Sequence, residues 1–123
     1  NPHTDYGFIT ILAQDEVGGL EIQAVDGTWL PAPSLPGTLI VNIADALARW
    51  TNGVFNSTPH RVINKTNDRS RYSVAMFFDP NFDADIECLD QFIENGGSAK
   101  HSPIRYGEYL QERLDSNFPD RTG

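Results

Sequence analysis

Cys88 is the only cysteine, so no disulfide can form within the chain and the disulfide-stapled class of small secreted domains is excluded. A lone thiol suits a reducing compartment, and a cytoplasmic location is expected. Basic residues are scarce: 9 Lys and Arg stand against 17 Asp and Glu, a formal net charge of -8. That balance disfavours a nucleic-acid partner, because phosphate contacts need a basic face. Long apolar runs are missing as well. The longest, Thr38 to Ile43, is strand-sized and far below the roughly 18 residues that cross a bilayer, so no membrane partner is expected. The first residues, Asn1 to Asp5, have neither the basic nor the apolar region of a signal or transit peptide. They also lack an initiator Met and run straight into patterned sequence, so an upstream part of the protein is expected. Internal repeats and low-complexity stretches are absent, and 123 residues suffice for one domain with a modest core.

What is present reads as short strands. Phe8 to Leu12 is β-branched and aromatic, and Leu20 to Val25 alternates apolar and polar residues with period two. Gly18-Gly19 and Asp26-Gly27 supply turns, after which Thr28 to Leu30 resumes the extended chain. Pro31, Pro33 and Pro36 fill a loop before Thr38 to Ile43, the most apolar strand. Asp45 to Trp50 suits a short helix with Asp45 as N-cap. His60 to Asn64 and Arg71 to Phe78 are two further strands joined by the polar loop Lys65 to Ser70, and Asp79-Pro80-Asn81 closes the second. Beyond a Gly/Ser-rich loop at Asn95 to Ser98, Tyr106 to Leu114 favours helix, with Tyr106, Tyr109, Leu110 and Arg113 on one face. The fold class is therefore mainly β, an antiparallel sandwich or barrel of jelly-roll type with a C-terminal helix. About seven of the eight strands of a jelly roll can be placed. The first is expected to lie upstream of Asn1.

Three residues suggest a metal. His3 and Asp5 lie two apart, so in extended chain both side chains point to one side. His60, from a strand distant in sequence, could complete the two-His, one-carboxylate set that leaves positions open on non-haem Fe(II). Taken singly, each has a plainer explanation: His-x-Asp is common in loops, and a lone His is more often a hydrogen-bonded structural residue. Arg71 and Ser73 form a second i, i+2 pair, a planar fork beside a hydroxyl that could grip one end of a small dicarboxylate. An isolated Arg-x-Ser is more often a surface ion pair beside a packed strand residue.

The motifs together are specific. His3-Thr4-Asp5-Tyr6-Gly7, Gln14 to Ile22, Gly37 to Ile43, Arg49-Trp50-Thr51-Asn52-Gly53, Ser57 to Val62 and Arg71-Tyr72-Ser73 resemble the isopenicillin N synthase-like iron(II)/2-oxoglutarate oxygenases. They keep that family's order and spacing over roughly residues 1 to 80, and the segment Tyr106 to Arg113 resembles its closing helix. The resemblance implies that His3, Asp5 and His60 bind Fe(II) and that Arg71 and Ser73 hold the distal carboxylate of 2-oxoglutarate. It implies a distorted double-stranded β-helix with the metal near one mouth. It also implies a dioxygenase that consumes O2 and hydroxylates, desaturates or cyclises a small organic molecule, releasing succinate and CO2. The family's upstream helices, first core strand and Asn-x-Tyr element have no counterpart here, and Ala44 replaces the usual Gly before Asp45. The latter is a small-residue change with no loss of chemistry expected.

Two regions follow from this reading: residues 1–80 as the iron and co-substrate core, and residues 81–123 as a loop and helix packing on it. Tyr6, beside the metal loop, and Phe78, at the end of the Arg71 strand, are candidate substrate contacts, though strand aromatics are more often core. His101 is expected to be solvated, Trp29 and Trp50 to pack, and Tyr72 to face away from the metal. Two rival functions stay open: an iron oxidase of the same fold that works without 2-oxoglutarate, and a non-catalytic jelly-roll binding module. A hydrolytic zinc site is disfavoured by Arg-x-Ser. Nothing in the sequence fixes the oligomeric state or the substrate. Residues 1 to 123 alone are expected to be poorly stable or inactive.

Overall fold

Alternating apolar and polar residues, cut by Gly and Pro turns, build the chain around short antiparallel strands. The computed structural model describes residues 1–63, 68–94 and 96–117. Strands β1 (Ile9–Gln14), β4 (Ile40–Ile43) and β6 (Ser73–Phe78) form one sheet in the order β4-β1-β6. A second sheet, β3-β2-β5, comprises β2 (Leu20–Gln23), β3 (Trp29–Pro31) and β5 (His60–Val62). β7 (Asp85–Ile86) and β8 (Ile104–Arg105), too short to stand out in the sequence, pair separately.

Register in the first sheet is set by its two faces. Ile9 pairs with Ile43 and Phe78, and Ile11 with Val41 and Met76, giving an apolar outer face on which Val41, Val74, Met76 and Phe78 stand exposed. The alternate residues Thr10, Leu12, Ala75 and Phe77 turn inward. Across from them the second sheet contributes Leu20, Ile22 and Val62, and a cavity of about 540 Å³ lies between the sheets. The sandwich expected from the sequence is thus present, with strand ends within two residues of the expected ones. Asn64 and residues 65–67 of the loop that follows, like Asn95, lie outside the described residues.

Helix α1 spans Asp45–Trp50 as expected, but Asp45 is its first residue rather than its cap. Ala44 takes the N-cap position and makes no side-chain cap. With φ of -111° its backbone is extended and imposes no need for glycine, which explains why Ala is accepted there. Helix α2 spans Tyr106–Asn117 and buries Tyr106 and Tyr109 against Ala46 and Ile86. Tyr6, Phe8, Trp50, Ile104 and Leu110 pack around this cluster, with the Phe8 and Trp50 rings 4.5 Å apart. The face of α2 read from the i, i+3, i+4 spacing is the one that packs. Trp29 instead lies on the second sheet beneath Arg61, whose Cζ is 4.1 Å from the ring centroid. Gly7 is buried, and a Cβ there would displace the Asp79 carboxylate and come within 3.1 Å of the Phe78 carbonyl, so the close approach of the Asp79 turn favours glycine.

Candidate metal centre

The chain enters β1 through the segment that carries the first two candidate ligands. His3 and His60 form an antiparallel bridge: His3 N donates to His60 O at 3.1 Å, and His60 N donates to His3 O at 2.9 Å. Residues from distant parts of the chain are thereby pinned side by side, with ring centroids 4.4 Å apart. Asp5 Oδ1 lies 3.7 Å from His3 Nε2 and 3.6 Å from His60 Nε2. Donor atoms each about 2.1 Å from a shared ion sit roughly 3 to 4 Å from one another, so the three fit one cation. Among the described residues this is the group of His, Cys, Asp and Glu side chains close enough to do so.

The ring nitrogens are prepared for that role. His3 Nδ1 faces the Asn1 carbonyl at 3.1 Å and His60 Nδ1 faces the Thr58 carbonyl at 3.2 Å. A ring that donates Nδ1–H to a carbonyl keeps its Nε2 lone pair free, and both Nε2 atoms point toward Asp5. Burial is graded across the set: Asp5 is 7% exposed, the His60 side chain 16% and that of His3 54%. A buried carboxylate needs partners. Asp5 Oδ2 accepts hydrogen bonds from Thr10 Oγ1 at 2.6 Å and from Asn42 Nδ2 at 2.9 Å.

Thr4, between the two ligands, ties this segment to the helices. Its hydroxyl donates to Asp45 Oδ2 at 3.3 Å and accepts from Arg113 Nη2 at 3.2 Å. Tyr109 donates to the same Asp45 oxygen at 2.7 Å. Burial, reinforced by that hydrogen bond to an anion, pushes the Tyr109 phenol well above its ordinary range.

Arg71 and Ser73 line the same cavity as His3, Asp5 and His60. Arg71 lies two residues before β6, outside the strand that the sequence led one to expect from this position; between them the Tyr72 N–H donates to the Asp15 carboxylate at 2.6 Å instead of to a strand carbonyl. Nε donates to the Gly18 carbonyl at 2.7 Å, Nη2 to Gln14 Oε1 at 3.2 Å and Nη1 to Ser73 Oγ at 3.0 Å. Gly18 can present that carbonyl because it turns at φ of +73°. Ser73 pairs with Gln14 on β1, while Thr10 bonds to the candidate ligand Asp5 at the other end of the strand. Four residues of strand separate them, about 13 Å, with Leu12 between. The cavity is therefore polar at two ends and apolar in the middle.

The two substrate candidates are placed differently. Tyr6 is not among the residues lining the cavity; it lies beneath Arg113, and its hydroxyl accepts from Asn117 Nδ2 at 2.8 Å. Phe78 pairs with Ile9 on the outer face, whereas its neighbour Phe77 lines the cavity. Tyr72 is exposed. His101 is exposed and lines a different cavity with Arg49 and Lys100. Burial and then those two cations lower its pKa.

Sequence reasoning missed Thr10, Asn42, Gln14 and Gly18. Asn42 was open to detection, since an amide inside the most apolar strand needs a partner. The other three carry no signal beyond strand alternation and a turn.

The chain is similar to known proteins in sequence and in fold. The sequence model of the 2OG-Fe(II) oxygenase superfamily matches residues 1–80. A probable iron/ascorbate oxidoreductase of Dictyostelium discoideum is 43% identical over 96% of this chain and 35% of its own length. A homoarginine-6-hydroxylase of rice is 42% identical over 94% of this chain and 36% of its own. The chain thus spans about a third of the length of these relatives. Among solved structures, a full-length Neurospora crassa protein in complex with alpha-KG and thymine superposes with a TM-score of 0.87, at 37% identity, over 96% of this chain and 37% of that one. The dioxygenase for auxin oxidation of rice gives 0.86 at 32% identity, over 95% and 40%. With the matched segment holding both the three convergent donors and the Arg71–Ser73 pair, the chain belongs to the 2OG-Fe(II) oxygenase superfamily.

Proposed function

We propose that the protein carrying this chain is an Fe(II)/2-oxoglutarate-dependent dioxygenase of a small organic molecule. His3, Asp5 and His60 would hold the iron, and Arg71 with Ser73 would hold the distal carboxylate of the co-substrate. The observation that carries this reading is the convergence of three donors at one end of a cavity whose other end presents an arginine fork and a hydroxyl. Two neutral imidazoles and one carboxylate suit Fe(II) and leave coordination positions for small molecules. Iron bound there supplies the oxygen chemistry, in which one O2 and one 2-oxoglutarate are consumed, succinate and CO2 are released, and the substrate is oxidised by two electrons.

The protein's own part is positioning. Arg71 has five N–H donors, of which three are committed to Gly18, Gln14 and Ser73, leaving two for a carboxylate. Ser73 accepts from Arg71 and keeps its own proton to donate beside them. Leu12, Leu20, Ile22 and Val62 form the apolar wall between the two ends and keep water from the methylene carbons of a bound dicarboxylate. Hydroxylation, desaturation and ring closure all fit this site, whose described lining identifies no one substrate. Phe77 takes the place of Phe78 as the β6 aromatic facing the cavity.

The test is an anaerobic absorption titration of the full-length protein with Fe(II) and 2-oxoglutarate, repeated with His60→Ala. A weak visible charge-transfer band is expected only when both are present, and is lost in the variant. Iron that binds without the band would point to an oxidase that dispenses with the keto acid. Failure to bind iron at all would leave a binding module.

A further inference from the structure

We propose that Thr10 and Asn42 are positioning residues that restrict Asp5 to offering a single oxygen to the ion. The proposal rests on the metal assignment above and adds to it the residues that hold the carboxylate in place. Asp5 Oδ1 is the oxygen that approaches both imidazoles, at 3.7 and 3.6 Å. Oδ2 is the oxygen that accepts two hydrogen bonds, from the β1 hydroxyl of Thr10 at 2.6 Å and the β4 amide of Asn42 at 2.9 Å. These occupy the lone-pair directions of that oxygen. To chelate with both oxygens, Asp5 would have to surrender at least one of them, and the Thr10 hydroxyl, on a residue only 5% exposed, would lose its acceptor at a cost.

Thr10 and Asn42 are in register across β1 and β4, so the sheet itself sets the spacing of the two donors. The consequence is a coordination count. A six-coordinate ion held by three protein atoms keeps about three positions open, and a chelating carboxylate would leave about two. A bidentate co-substrate together with a third small molecule needs all of the former number. The hydrogen bonds from Thr10 and Asn42 therefore protect a vacancy that the ligand set alone does not guarantee.

The experiment uses Mn(II), a redox-silent probe, with the full-length wild type, Thr10→Val, Thr10→Ser and Asn42→Leu. Affinity is read by titration, and bound water per ion by proton relaxation and by EPR line broadening in ¹⁷O-water. Wild type and Thr10→Ser should bind alike with about three waters. Thr10→Val and Asn42→Leu should bind roughly 10- to 100-fold more weakly and retain about one water fewer. Unchanged water counts in both variants overturn the proposal, whether or not affinity falls, because orientation alone would then have been lost. Thr10→Val keeps the shape of the side chain without its hydroxyl and Thr10→Ser keeps the hydroxyl without its methyl, so this pair decides the matter if Asn42→Leu does not fold. Failure of the wild type to bind Mn(II) would instead refute the metal assignment beneath it.

Discussion

Replacing Arg71 by Ala separates co-substrate binding from iron binding. The guanidinium has two N–H groups not committed to Gly18, Gln14 or Ser73, and these would meet the distal carboxylate of 2-oxoglutarate. A charge-assisted hydrogen bond contributes about 1.5 to 3 kcal/mol. The half-buried position of Arg71 argues for the lower figure, since solvent screens the pair. Two such bonds come to about 3 kcal/mol, or roughly 100-fold in Kd. Ser73→Ala removes one donor and should cost roughly tenfold. Arg71→Lys keeps the charge without the fork and should fall between wild type and Ala. Iron affinity should hold steady throughout, because Arg71 bonds to none of His3, Asp5 or His60. Loss of the Gly18 anchor should lower stability by about 1 kcal/mol, seen as a small shift of the urea midpoint. The assay is paired anaerobic titration, iron first and keto acid second. Equal weakening of both steps in Arg71→Ala would refute the reasoning, since it would mean that Arg71 supports the metal or the fold rather than the co-substrate.

Other perturbations follow from the same contacts. Gly7→Ala would drive a Cβ into Asp79 and should cost about 1 to 3 kcal/mol in chemical denaturation. Arg61 pairs with Glu21 at 2.8 Å and covers Trp29, so Arg61→Ala should destabilise by about 2 kcal/mol, with a red-shifted tryptophan emission reporting the uncovered ring. Arg61→Lys should recover only part of that loss, because it restores the charge but not the stacked plane. Tyr106 and Tyr109 have phenol pKa values raised above the ordinary 10.0, chiefly by burial. Their contribution to stability is complete below the unfolded value and is lost as pH rises from there through the raised folded one, so alkaline unfolding and phenolate absorbance should appear together. Phenolate formation by these two residues near pH 10.0 in a chain that stays folded would contradict that linkage.

Much of the site could be read from the sequence because its chemistry sits in short, ordered motifs. His3 and Asp5 share a side of extended chain by period two, and Arg71 and Ser73 do likewise. The β-branched runs marked where strands lie, and the spacing of Tyr106, Tyr109 and Leu110 marked the packed face of α2. Each of these is a local property, decided by residues within one or two turns of one another. Strand phase was harder. Which of Phe77 and Phe78 faces the cavity depends on register with β1, and register is a property of the pair rather than of either strand.

Only the tertiary structure decided what partners the candidate ligands. The His3–His60 bridge joins segments far apart in the chain, and Asp5 draws its two hydrogen bonds from β1 and β4, while Arg71 leans on the Gly18 turn. Tyr6 was a candidate pocket residue, with the core the commoner place for such an aromatic, and α2 places Arg113 over it. The sequence by itself determined which groups could bind an ion and a carboxylate, because their types and local spacing are written there. Their orientation came from the packing of the sheets, since hydrogen bonds between distant segments exist only once a single register has been chosen.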